Sequence, residues 1–67
     1  MDFIGTTEEE ANAIAAVLST SDRIVEVSRN AGRDGKDAWT FTGPGRVFTI
    51  YADSLRQVVR QLRNRLD

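Results

Sequence analysis

Ala38-Trp39-Thr40-Phe41-Thr42-Gly43-Pro44-Gly45-Arg46-Val47-Phe48-Thr49-Ile50-Tyr51-Ala52 is the stretch that decides the fold. Two β-branched and aromatic runs flank a Gly-Pro-Gly turn. Pro44 suits the first corner of a type II turn, and Gly45 supplies the positive φ of the second. So short a turn sets the register. If Gly43 pairs with Arg46, then Phe41 lies opposite Phe48 and Trp39 opposite Ile50, and four large apolar side chains meet on one face. The alternate residues, Ala38, Thr40, Thr42, Val47, Thr49 and Tyr51, turn to the other face.

Upstream, the period is again two from Arg23. Val25 and Val27 fall on the core side, and Asp22, Ile24, Glu26 and Ser28 on the other, which predicts a third strand. Asn30 to Lys36 reads as a loop by composition. Before it, Thr6-Thr7-Glu8-Glu9-Glu10 places a hydroxyl three residues ahead of a glutamate in two registers, a capping box that opens a helix over residues 7 to 18. Ala11, Ile14, Ala15 and Leu18 recur on one face of that helix. Downstream of the hairpin, Asp53 or Ser54 caps a last helix with Leu55, Val58, Val59, Leu62 and Leu66 as its apolar stripe. The expected fold is α+β, a single domain over residues 1–67. It is a two-layer α-β-β-β-α sandwich, with a three-stranded antiparallel sheet and both helices packed on one face.

Composition narrows what such a domain can do. The 67 residues include nine Lys+Arg, ten Asp+Glu, no His and no Cys. The chain therefore has no imidazole base, no thiolate nucleophile, no Cys/His zinc set and no disulfide. Lys36 is the only lysine, and none of the serines sits in a nucleophile motif. Gly32-Arg33-Asp34-Gly35-Lys36-Asp37 departs from a phosphate loop in its glycine spacing and in having Asp37 where the magnesium-binding hydroxyl belongs. Asp34 and Asp37 suit turn hydrogen bonds, and no calcium-loop pattern surrounds them. The expectation is a non-catalytic chain with no cofactor and no metal. No run approaches the roughly 18 apolar residues of a membrane span, and Met1-Asp2-Phe3-Ile4 lacks the order of a signal peptide. A cytoplasmic protein with no membrane partner is expected.

The near-neutral total hides a polarised chain. Residues 1 to 27 hold six acids and one base, and residues 28 to 67 hold eight bases and four acids, giving −5 and +4. Arg56, Arg60 and Arg63 form a basic ridge along the last helix, with Arg65 on its opposite flank. The acidic half and the open sheet face point to a larger protein or protein complex as partner. Glu8, Glu9, Glu10, Asp22 and Glu26 are the expected contacts, with Tyr51 as the apolar anchor. An uncovered sheet face or an exposed edge strand allows either a monomer or a homodimer.

The α-β-β-β-α order, the length and the glycine turn before the third strand resemble the double-stranded RNA-binding domain. That resemblance implies RNA contacts from the first helix and phosphate contacts at the start of the last helix. Here those places read Glu8-Glu9-Glu10 and Asp53-Ser54-Leu55-Arg56, carboxylates where phosphates would lie, so the family's binding mode is disfavoured. If nucleic acid is bound, Arg56, Arg60 and Arg63 carry it. In size, layout and acidic patches the chain is also similar to the small inhibitors of phages and mobile elements, including the anti-CRISPR proteins. That likeness implies an acidic surface occupying a basic groove on a nucleic-acid-handling partner.

Overall fold

A computed structural model describes residues 1–19 and 23–66. In chain order they form β1 (Asp2–Ile4), α1 (Glu8–Leu18), β2 (Glu26–Arg33), β3 (Lys36–Gly43), β4 (Arg46–Ala52) and α2 (Leu55–Leu66). The sheet has four strands in the order β1-β2-β3-β4. β2, β3 and β4 are antiparallel neighbours, and β1 lies parallel to β2. The three-stranded antiparallel sheet expected from the sequence is thus one strand short. The missed strand is three residues long, too few to display a period of two, and its partner lies more than twenty residues further along the chain.

The central hairpin has the register read from its turn. Gly43 pairs with Arg46, Phe41 with Phe48, and Trp39 with Ile50, and Gly45 adopts a φ of 74°. The stretch read as a loop is instead a second hairpin. β2 runs on to Arg33, and β3 starts at Lys36 after an Asp34-Gly35 turn whose two φ angles, 56° and 74°, are both positive. That is the mirror-image turn whose twist matches the flanking strands. A register shift between Ala31 and Arg33 absorbs one residue of β2. Composition marked these residues as irregular and concealed that the Asp-Gly pair joins two strands.

Both helices pack on one face of the sheet. Ile14 and Leu18 of α1 and Val58 and Leu62 of α2 close over Val27, Trp39, Phe41, Ile50 and Ala52 in one buried cluster. Phe48 is half-buried at its margin and stacks on Phe41 with ring centroids 5.1 Å apart. In α2, Val58 and Leu62 are buried and Leu55 and Val59 half-buried, while the Leu66 side chain lies outside the described residues. The alternation expected from Arg23 onward fails at one step, just ahead of β2. Ile24, expected on the open face, is 4% exposed in the core, and Val25, expected in the core, is 51% exposed. Val25 is bonded from both sides, donating to the Thr42 carbonyl and accepting from the Asp2 amide. Ile24 and Val27 then both turn inward, a spacing of three that a strict two-residue period does not register.

Capping follows local chemistry. Thr7 accepts from the Glu10 amide at 3.1 Å, and Glu10 Oε1 accepts from the Thr7 amide at 2.8 Å. Of the two possible boxes, Thr7–Glu10 is the one used. Ser54 Oγ accepts from the Gln57 amide at the start of α2. Among the described residues, no helix is long and apolar enough to cross a membrane.

Candidate interaction surface

The register lays out the sheet face that neither helix covers. One row runs Asp2, Glu26, Thr42, Val47, the next Ile4, Ser28, Thr40, Thr49, and a third Asn30, Ala38, Tyr51. The Thr40 and Thr49 hydroxyls lie 3.2 Å apart and bind each other across the third and fourth strands. Large apolar side chains stand among these polar groups: Ile4 is 52% exposed, Val47 66% and Tyr51 40%. The Arg33 guanidinium lies over the Tyr51 ring, 4.9 Å from its centroid. One end of the face is therefore acidic, with Asp2 beside Glu26, and the other is basic, with Arg33 next to Lys36.

The expected contact residues do not all gather here. Glu26 and Tyr51 share the open face, and Asp22 lies outside the described residues. Glu8 and Glu9 are exposed in the first turn of α1, in the helical layer and not on the open sheet face. Glu10 belongs to neither group. Besides closing the capping box, its Oε2 binds Arg29 Nη1, and only 13% of its side chain is exposed. Its carboxylate is thus paired inside the molecule, away from the open sheet face.

Arg29 is the residue that sequence reasoning missed. It pairs with Trp39 and so points toward the helices, two positions beyond Val27 on the same strand face. A charge at a position of core parity was the available signal. Its Nε donates to Asp37 Oδ2 at 2.7 Å, its guanidinium bridges to Glu10, and the same group lies 4.8 Å from the Trp39 ring centroid. The Asp37 hydrogen bond raises the Arg29 pKa above the ordinary guanidinium value against the opposing effect of burial, with Glu10 adding to the rise. A raised pKa on a cation means stability that is present below the ordinary value and lost only as the pH climbs through the raised one, in strong alkali. Arg29→Ala should cost about 1–2 kcal/mol, the sum of a partly solvated ion pair and the stacking over Trp39. Urea titration at low and high salt checks this, and a loss that does not shrink with salt would remove the ion pair from the account.

The basic residues are separated from the open face. Arg56, Arg60 and Arg63 are exposed along α2 and make no ion pair with any described residue. Arg65, on the other flank, lies over Phe48 at 4.4 Å from its ring centroid. Asp37 is taken by Arg29, while Asp34 sits in the turn. Among the described residues no group of three or more metal-ligating side chains converges. Comparison with known protein families, curated proteins and solved structures finds no match.

Proposed function

We propose that this chain is a non-catalytic protein-binding module that docks through its uncovered sheet face onto a basic surface of a larger protein, in the manner of a small inhibitor of a nucleic-acid-handling partner. The observation that carries the reading is the composition of that face: Ile4, Val47 and Tyr51 stand out of a flat threonine-rich sheet whose one end bears the Asp2 and Glu26 carboxylates. Apolar and aromatic side chains supply the area that anchors a contact. Adjacent carboxylates attract a cationic partner and quicken the encounter. Glu8 and Glu9, in the other layer, take no part in this contact.

The exposed ridge of Arg56, Arg60 and Arg63, which pairs with no described residue, supports a second reading, in which α2 binds the phosphates of a nucleic acid. One pair of measurements separates them. The chain and an Asp2→Lys/Glu26→Lys variant are each used to capture proteins from the native host, and the wild type is titrated with duplex RNA, duplex DNA and single strands at low and moderate salt. A protein retained by the wild type and depleted roughly 10-fold or more on the variant, with no nucleic-acid binding, supports the docking face. Equal retention by both chains sinks it. So does salt-sensitive nucleic-acid binding that Arg56→Glu and Arg60→Glu abolish.

A further inference from the structure

We infer that β4 is the seam of a two-fold dimer, in which the free edges of two copies pair antiparallel into one continuous sheet. β4 is a seven-residue edge strand, whereas the opposite edge, β1, is only three residues long. Gln61 Nε2 donates to the Tyr51 carbonyl at 3.4 Å, so that carbonyl points off the sheet. Bonding direction alternates along an antiparallel strand, so Val47, Thr49 and Tyr51 present their amides and carbonyls to the free edge while the residues between them bond to β3. Such a row is a ready template for another strand. A groove of about 530 Å³ runs beside it, lined by Thr49, Ile50, Tyr51, Gln61, Asn64 and Arg65.

The strand is complementary to itself. A two-fold axis at Thr49 sets that residue opposite Thr49 of the partner subunit, and Val47 opposite Tyr51 of the partner subunit. This register engages all three outward positions, the Tyr51 carbonyl accepting through the lone pair that Gln61 leaves open. It also brings together Val47 and Tyr51, both among the large apolar side chains that a single copy leaves exposed. Arg65, which lines the groove, is turned over its own Phe48. A self-complementary patch of this kind is what a closed two-fold interface requires. The dimer would present two copies of the open face side by side, and Asp2 and Glu26 stand away from the seam, so their charge variants leave it intact.

Analytical ultracentrifugation of the full chain from micromolar to submillimolar concentration tests the seam. The expected result is a species of twice the 7.5 kDa chain mass, weakened roughly 100-fold or more in dissociation constant by Thr49→Pro. Proline removes an amide that β3 does not use and is tolerated on a solvent-facing edge. Far-UV circular dichroism reports whether that variant folds, and Val47→Lys, which places a charge at the same edge, gives the same readout if it does not. A wild type that sediments at the single-chain mass throughout overturns the inference, whatever other strand its edge accepts. A dimer that Val47→Lys and a folded Thr49→Pro leave undiminished overturns it too, as does one whose Thr49 amide exchanges freely with solvent.

Discussion

Trp39→Ala is expected to lower stability by roughly 3–5 kcal/mol, the usual cost of deleting a buried indole, and so to unfold much of the population. A single core in a chain this short rarely supplies more than about that amount in total. Trp39 is almost wholly buried at the centre of the sheet, with Ile50 opposite on β4 and Arg29 opposite on β2, and its ring is the largest in the core. Removing it empties the middle of the apolar layer and takes away the surface on which the Arg29 guanidinium lies. Trp39→Phe should cost much less, because no described group accepts from the indole Nε1 and phenylalanine deletes that unsatisfied donor while keeping much of the ring. Urea denaturation followed by circular dichroism measures both. A loss below about 1 kcal/mol for the alanine variant would mean that the ring is not the keystone of this core.

Gly5→Ala is the second large effect, and it acts through the backbone. Gly5 joins β1 to α1 with a φ of 78°, and a Cβ built there would lie 2.5 Å from the Arg29 carbonyl oxygen. The left-handed conformation costs a non-glycine residue roughly 1–3 kcal/mol. The overlap adds a comparable 1–3 kcal/mol, because the obstructing atom belongs to the backbone of β2 and cannot swing aside like a side chain. Gly45 provides the control. Its φ is 74°, yet an added Cβ meets nothing within 4 Å. Gly45→Ala should therefore show the conformational cost alone, and Gly5→Ala should exceed it clearly in the same denaturation experiment. Equal losses would show that β1 yields to let the methyl group in, and that its pairing to β2 is loose.

These two sites differ in how far they can be read from the chain alone. Trp39 is legible because a two-residue turn and a period of two place it opposite Ile50 without any knowledge of the helices. Gly5 is not, since its obligation comes from a carbonyl more than twenty residues away. The open face shows the same division. Alternation along β3 and β4 places Ala38, Thr40, Thr42, Val47, Thr49 and Tyr51 on it, whereas Asp2 and Ile4 join only because β1 pairs with β2. The acidic residues looked like one group by proximity in sequence. In space Glu10 is consumed by Arg29, and Glu8 and Glu9 stand in a different layer from Glu26.

Neighbours along the chain suffice for a Thr-to-Glu capping box at the head of α1, in one of two registers, for the apolar stripe of α2, and for the hairpin whose turn aligns Phe41 with Phe48. Tertiary structure decided the parallel strand β1, the inward turn of Ile24, the Arg29 bridge between α1 and the sheet, and which strand edge is left unpaired. The reason is range. Turn geometry, capping and periodicity are settled within a few bonds, where one residue's chemistry suffices. Parallel pairing and a half-buried ion pair exist only once distant segments meet, when the cost of ordering them is offset by burial and hydrogen bonding that no short stretch of chain can supply.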